Sequence, residues 1–362
     1  MQEITCFSQN DWDELQVVML GAFMEPSKVR KIFDATYLEE FVQLIQRVAD
    51  ETAEDLDKIQ KKLEDQGVKV LRPDMNMITE RQIEQSESIK LNLNTDDVGI
   101  ASDIFFQDLN IPISPRNDLM VYKDVVFSNF DMERTYNVKL NNTIVNTNQK
   151  FGYDYLDWPS ITRVNNRLVI GEDFDRSAID KIKQYLNNAE LVITDIRGHV
   201  DATLACIRDG LLLTTDRHPD EIYNKTFPNW KKQPFGNSGF QHLAQQLTGW
   251  RKAERQILHD LQEVTKSKWW IEDFDQLENK KQVADIINNC FKNWFGYCEE
   301  TYFEINCLTI NPDLSMVIGE CSQSAQVLKE KYNHDTILVP FRHRWFFDQG
   351  LHCLTADLVR KA

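Results

Sequence analysis

The sequence lacks a long hydrophobic run, an excess of basic residues and closely paired cysteines. No apolar segment approaches the roughly 18 residues of a membrane-spanning helix, so no membrane association is predicted. The 41 Lys and Arg residues are outnumbered by 57 Asp and Glu residues, and the formal charge is −16. This charge argues against nucleic-acid binding, which needs a basic face. It suits an acidic surface that maintains solubility, or a cationic small substrate.

The seven cysteines are odd in number and lack the spacing of a disulfide framework or a zinc site. No metal or cofactor is therefore predicted. Free thiols are typical of a reducing cytoplasm, and the segment Met1–Thr5 has none of the features of a signal or transit peptide. We expect a cytoplasmic protein.

The apolar patterns that are present indicate an α/β protein. Hydrophobic residues make up 42% and charged residues 27% of the 362 positions, as in a globular protein with a sizeable core. Gln16–Gly21 is predicted to be a strand. A helix with one buried face extends from Phe41 to Leu63 and ends before Gly67, and Val68–Leu71 is predicted to be the next strand.

Four β-hairpins are predicted further along the chain, with turns at Lys123-Asp124, Asn165-Asn166, Asp209-Gly210 and Asn311–Asp313. Most are followed by a polar helical stretch and another apolar strand, so the repeated unit is ββαβ. The turns lie near positions 123, 165, 209 and 312, so their spacings are 42, 44 and 103 residues. Two nearly equal spacings indicate a pseudo-symmetric array. The excess in the third indicates a helical insertion at about Lys231–Asn293.

Polar residues that the fold alone does not require precede the hairpins. They are Asn117, Asp157, His199 with Asp201, and, before what is predicted to be the last hairpin, Cys353. Equivalent positions in a pseudo-symmetric ring converge near its axis, so an acid, a histidine and a thiol would meet there. These groups are the components of nucleophilic catalysis.

Each of these residues also has a structural interpretation. Asp157 could cap a turn, His199 could be a satisfied core histidine, and Cys353 could be an inert small hydrophobe. The residues by themselves leave both interpretations open.

Two further expectations concern the neighbours of Cys353. His352 is expected to point to the opposite face of the strand, which would make it a poor general base for that thiol. Asp357 and Arg360 are most simply surface ion-pair partners.

Several segments together resemble the amidinotransferases of the guanidino-group-modifying pentein superfamily. The matching segments are Asn10–Gly21, Gly67–Asp74, Ser114–Asp118, the histidine motif Gly198–Thr203 and the nucleophile motif Leu351–Asp357. Their order and spacing match from about residue 6 to the C-terminus, apart from the excess near 231–293. The resemblance implies one catalytic domain over residues 1–362. Its implied fold is an α/β, five-bladed pseudo-symmetric propeller of ββαβ modules that carries the helical insertion.

By this resemblance Cys353 is the nucleophile, His199 the general acid and base, and Asp157 the carboxylate that binds the guanidinium group. The residues expected to bind substrate are Asp201, Asn117, Asp118, Arg217 and Glu300. The sequence departs from the family at Asn117, where the family has an aspartate. It departs again at Asp348-Gln349-Gly350, where the family has a glycine run.

The implied activity is transfer of the amidino group of L-arginine through Cys353 to glycine or another primary amine, with release of ornithine. A hydrolase of the arginine deiminase or dihydrolase type, in which water replaces the amine, is one alternative. A catalytically silent pentein that only binds is another, although the intact Cys353, His199 and Asp157 speak against it. The expected partners are small molecules, with no nucleic acid and no membrane, and a homodimer is left open.

Overall fold

The computed structural model describes residues 2–32, 39–86, 112–129, 131–152, 156–186, 188–215, 218–234, 305–319, 323–347 and 349–361. Its strands are β1 (Gln2–Ile4), β2 (Glu14–Leu20), β3 (Lys69–Leu71), β4 (Leu119–Tyr122), β5 (Val125–Ser128), β6 (Val138–Leu140), β7 (Thr143–Asn146), β8 (Ile161–Val164), β9 (Arg167–Ile170), β10 (Glu190–Ile193), β11 (Leu204–Arg208), β12 (Leu211–Thr214), β13 (Lys231–Pro234), β14 (Leu308–Asn311), β15 (Leu314–Ile318), β16 (Asp335–Val339) and β17 (Thr355–Lys361). Its α-helices are α1 (Val29–Ile32), α2 (Glu39–Asp65), α3 (Met75–Ser86), α4 (Pro115–Asp118), α5 (Met132–Tyr136), α6 (Thr147–Phe151), α7 (Arg176–Lys183), α8 (Asp220–Thr226), α9 (Gln323–Tyr332) and α10 (Arg344–Phe347). Short 3-10 helices form at Pro26–Lys28, Trp158–Ser160 and Val200–Ala202.

Five three-stranded sheets repeat one arrangement within the described ranges. Each contains two antiparallel strands, and its third strand runs parallel to the middle one. A helical segment connects the middle strand to the third in every case. The strand orders are β4-β5-β7, β8-β9-β10, β11-β12-β13, β14-β15-β16 and β17-β2-β3. The ββαβ unit predicted from the hairpins is therefore present in four of these sheets, while in the fifth the first strand, β17, comes from the C-terminal part of the chain. The fold is α/β.

The sheet β17-β2-β3 joins the two ends of the described chain. β17 runs antiparallel to β2, and the register pairs Thr355 with Leu20 and Lys361 with Glu14. Cys353 was expected to open a last hairpin. It instead lies in the turn before β17, whose partner comes from the N-terminal part of the chain.

The hairpin turns form where the sequence placed them. Lys123, Asn165 and Gly210 have φ values of 52°, 56° and 74°, the left-handed conformation that tight hairpin turns require. Gly67 follows α2 with φ of 78° and suits the left-handed position after a helix. No helix in the described part of the chain is both long and apolar enough to cross a bilayer.

The predicted helical insertion lies almost entirely outside the described residues. Its first four residues, Lys231–Pro234, are described and form β13, which pairs parallel to β12. The expected start of the helical segment at Lys231 is therefore wrong, because these residues complete a sheet. Their sequence, Lys-Lys-Gln-Pro, lacks the apolar alternation by which a strand is recognised.

Asp357 and Arg360 are buried, each with 1% of its surface exposed, so the expected surface ion pair is wrong. Asp357 Oδ2 lies 2.6 Å from Arg163 Nη2 and 2.9 Å from Arg360 Nε. Its other oxygen pairs with Arg116. Buried charges are tolerated when they are paired and hydrogen-bonded. This carboxylate therefore ties together β17, β8 and α4.

Candidate active site

Two of the predicted site residues begin short 3-10 helices that lead into strands. Asp157 precedes Trp158–Ser160 and β8, and His199 precedes Val200–Ala202 and β11. Neither side chain makes a capping hydrogen bond to its helix. Asp157 therefore does not act as a side-chain cap, and both side chains are directed elsewhere.

Asp157 and His199 contact each other. Asp157 Oδ1 lies 3.0 Å from His199 Nε2, and the two side chains are 29% and 24% exposed. The second carboxylate oxygen accepts a hydrogen bond from Ser160 Oγ. His199 is therefore a partly exposed, oriented imidazole rather than a core histidine. A carboxylate that fixes an imidazole in this way prepares it to move a proton.

Cys353 lies in the turn that immediately precedes β17, and its thiol is enclosed by polar groups. Sγ is 3.0 Å from Asn306 Nδ2 and 3.7 Å from Asp201 Oδ2. Only 2% of Cys353 is exposed. The reactivity of the sulfur therefore depends on these two side chains more than on water.

His352 belongs to the same turn as Cys353, so the alternation of side chains along a strand does not apply to it. Its Nδ1 lies 2.7 Å from Asp201 Oδ2, the oxygen that also approaches the thiol. The expectation that His352 faces away from the site is therefore wrong. Burial alone would raise the pKa of Asp201, but the hydrogen bond from His352 and the charges of His352 and His199 outweigh burial and lower that pKa. Asp201 is held as a carboxylate beside the thiol.

The structure brings the predicted catalytic residues into one region. The 3-10 helix after Asp157 packs against the 3-10 helix after His199, and α4 packs against the first of these. The charge of His199 acts on Asp201, and Asp201 contacts the thiol of Cys353. A nucleophile, an oriented imidazole and two carboxylates therefore lie together, which is a set suited to attack on a cationic carbon centre.

Asn117 and Asp118 stand at the end of α4 beside this region. Asn129 Nδ2 donates to the backbone oxygens of Asn117 and Leu156, at 3.1 and 2.8 Å, so it ties α4 to the turn before β8. Burial raises the pKa of Asp118 to about 7, against a hydrogen bond from Asn129 that lowers it. The charge of Asp118 also raises the pKa of Tyr136, although by less than burial does. Asp118 therefore lies near enough to Tyr136 for its charge to act on the Tyr136 hydroxyl.

Sequence reasoning missed two residues that contact the site, Asn306 and His352. The apolar run Ile305–Ile310 is typical of one continuous strand leading into the fourth hairpin, whereas β14 begins only at Leu308. Asn306 therefore precedes its sheet, as the other polar site residues precede theirs. The rule that a polar residue precedes each hairpin would have found it, had it been applied to the fourth hairpin.

A small cavity of about 20 Å³ adjoins the site. Its lining includes Asp201 and His352 together with Asp11, Cys206, Cys307 and Thr309. Burial raises the pKa of the Cys307 thiol to about 12 and that of Cys206 well above its ordinary value. Both thiols are therefore protonated and unreactive near neutral pH.

Two of the expected substrate-binding residues, Arg217 and Glu300, lie outside the described residues. Their contacts with substrate stay predictions. Within the described ranges, no group of three or more His, Cys, Asp and Glu side chains is arranged to hold a metal ion.

No family model matches the sequence, and no curated protein matches it significantly. Solved structures do match. An inosamine-phosphate amidinotransferase from Streptomyces griseus superposes with a TM-score of 0.56 at 16% identity, over 99% of this chain and 97% of that one. An amidinotransferase of the saxitoxin biosynthetic pathway from Microseira wollei gives 0.58 at 14% identity, over 99% and 98%. The chain therefore has the fold of these two amidinotransferases.

Proposed function

We propose that this protein modifies guanidino groups, and that it is an amidinotransferase whose donor is L-arginine. The observation that carries the proposal is the contact between Cys353 and Asp201, with the charge of His199, which pairs with Asp157, acting on the same Asp201. Attack on a guanidinium carbon needs a thiolate, an acid for the departing amine, and carboxylates that hold the planar cation. The likeness to two amidinotransferase structures supports the same scaffold. We accordingly propose that the five sheets are blades around a common axis.

In the first half of the proposed reaction, the guanidinium of arginine lies between Asp157 and Asp201. The Cys353 thiol gives its proton to His199, and its sulfur attacks the guanidinium carbon. The bond from that carbon to the side-chain nitrogen of ornithine then breaks. His199 delivers the proton to this nitrogen, so ornithine leaves as a neutral amine. Cys353 is left with a cationic amidino group on its sulfur.

In the second half, an amine attacks the amidino carbon while His199 accepts the proton that the amine loses. The electrons of the carbon–sulfur bond return to Cys353, and a guanidino product leaves. A hydrolase on the same scaffold would use water in place of an amine. Asn117, which stands where the family has an aspartate, keeps the hydrolase as the second candidate.

The test is product analysis by mass spectrometry after incubation with L-arginine, with and without glycine or other primary amines. We expect arginine alone to give ornithine slowly, with the peptide that carries Cys353 modified. An accepted amine should speed ornithine release and yield its guanidino derivative. Fast formation of citrulline or ammonia, unaffected by amines, would replace the transferase with a hydrolase. Binding of arginine without any product would identify a silent binding protein.

A further inference from the structure

The carboxamide of Asn306 is fully buried, and its orientation is fixed by its neighbours. Its Oδ1 accepts from the backbone N–H of Cys353 at 2.9 Å, and a backbone N–H can only donate. Nδ2 is therefore the atom that faces Cys353 Sγ at 3.0 Å. Its second hydrogen is directed at the backbone oxygen of Asp201, at 3.3 Å.

The backbone of Asn306 also holds the nucleophile turn. Its carbonyl oxygen accepts from the N–H of His352 at 3.1 Å, so the backbone and the side chain both bind consecutive residues of that turn. Gly350 makes this approach possible, because a Cβ at Gly350 would overlap the Asn306 side chain. Gly350 is the one glycine left where the family has a glycine run, and it is needed for a steric reason.

We propose that Asn306 is a further catalytic residue, whose Nδ2–H donates to the sulfur of Cys353 and stabilises it whenever it is a thiolate. Asp201 acts in the opposite sense, since a carboxylate oxygen 3.7 Å away can accept from S–H but repels S⁻. The two side chains therefore favour different protonation states of one sulfur. The inference rests on the proposed function only in taking Cys353 as the nucleophile.

This arrangement gives Asn306 a part in both half-reactions. Before attack, the donor stabilises the thiolate that forms when the thiol proton leaves. When the amidino group is transferred, the electrons of the carbon–sulfur bond return to sulfur, and the same donor meets the charge as it develops. A donor already in place needs no reorganisation at either moment.

The test measures the rate at which iodoacetamide alkylates Cys353, between about pH 6 and about pH 9.5, with the labelled peptide identified by mass spectrometry. Asn306→Asp is nearly isosteric and keeps an acceptor for the Cys353 N–H, but it removes the donor to sulfur and adds negative charge. We expect the pH of half-maximal alkylation to rise by about one unit or more. Asn306→Ala should shift it in the same direction, and Asn306→Ser, which retains a donor, should shift it less.

Asn142 offers a matched control, because its Oδ1 accepts from the backbone N–H of another cysteine, Cys6, at 2.6 Å. Asn142→Asp should leave the alkylation profile of Cys353 unchanged. An unshifted profile in any folded Asn306 variant that lacks the donor would overturn the proposal. Failure of all three Asn306 variants to fold would also overturn it, in favour of a purely structural residue. Alkylation needs no substrate, so a shifted profile in a protein that does not turn over arginine would reject the proposed function and keep this inference.

Discussion

His352 donates its Nδ1 proton to Asp201 Oδ2 over 2.7 Å, and the same oxygen lies 3.7 Å from the sulfur of Cys353. An ionised carboxylate can only accept, so the proton of the first contact belongs to the imidazole. Asp201 is thus shared between a histidine that supports its charge and a thiol whose ionisation that charge opposes. A bound guanidinium would offset the charge and release the thiol proton at the moment when substrate is present.

Asp201→Asn should therefore separate thiol reactivity from turnover. Removing the carboxylate should speed alkylation of Cys353 in the substrate-free protein by about three- to tenfold near pH 7. Turnover of arginine should fall and its KM should rise, because one of the two carboxylates proposed to hold the cation is lost. Slower alkylation in Asp201→Asn would show that Asp201 promotes the thiolate instead.

Cys353→Ala should abolish turnover, a loss of about 10⁴-fold or more, while the melting temperature stays close to that of the wild type. The controls are Cys206→Ala and Cys307→Ala, which should retain activity. Burial raises the pKa of both thiols, so they are protonated under assay conditions. Ornithine release by the Cys353 variant at a near-normal rate would remove this thiol from the mechanism.

Asp157→Asn should lower kcat by about 10²- to 10⁴-fold, because the charge that orients His199 is lost. It should also raise the KM for arginine if Asp157 binds the guanidinium as proposed. The graded comparison is Ser160→Ala, which removes only the hydrogen bond to Asp157 Oδ2 and should cost less than about tenfold. Wild-type kinetics in both variants would show that the His199–Asp157 contact has no part in turnover.

Asp118 should make stability depend on pH between about 4 and 7. Burial raises its folded-state pKa to about 7, above the unfolded value of about 3.9. The stabilisation linked to its protonation is therefore complete below about pH 4 and is lost as the pH rises toward 7. The stability of Asp118→Asn relative to the wild type should therefore be higher at about pH 8 than at about pH 5.

Urea unfolding at the two pH values measures this effect. Asp175 supplies the control, since it is an exposed cap that accepts from the N–H of Ser177 at 2.8 Å, and its pKa is lowered. The effect of Asp175→Asn should be the same at both pH values, because Asp175 is ionised at each. If the stability of both variants relative to the wild type changed equally between the two pH values, Asp118 would not titrate in this range.

Asp357→Asn should lower the free energy of unfolding by about 3–5 kcal/mol, because it leaves buried arginines without their carboxylate. Burial opposes the charge of Asp357, but Arg116, Arg163 and Arg360 hold its pKa well below the ordinary value. The stabilisation of the fold by Asp357 should therefore persist as the pH falls to about 4 and be lost only below that pH. Urea unfolding from neutral to acidic pH checks both statements. Glu3→Gln, at an exposed ion pair with Lys139, should change little.

The parts of the fold that sequence predicted are those set by local chemistry. The hairpins could be predicted because residues such as Asn165 and Gly210 favour the left-handed conformation at two-residue turns. Asp357 could not be predicted as buried, because a charged residue between apolar neighbours in a strand is also the pattern of a half-exposed strand. Its partners come from distant segments, and their approach depends on how the sheets assemble.

In the candidate site, too, residues in local motifs could be predicted and those that depend on distant contacts could not. Cys353 and His199 lie in recognisable motifs, and their convergence followed from the repeat. Asn306 was hidden because the apolar run around it appeared to be one continuous strand, whereas the chain turns there before β14 begins. The side chains that set the charge balance at the sulfur were therefore harder to predict from the sequence than the cysteine itself.

The pairing of β17 with β2 has a consequence for biosynthesis. Ser8 and Asp357, which share a hydrogen bond, are 349 positions apart, so a ribosome makes the strand that follows the nucleophile long after its partner has emerged. Until then one edge of β2 is open to pairing with other chains, a recognised aggregation hazard. Contacts of such long sequence separation also form slowly. A nascent chain that stops before β17 would lack the sheet and the carboxylate that joins three arginines, so activity requires synthesis to pass this strand.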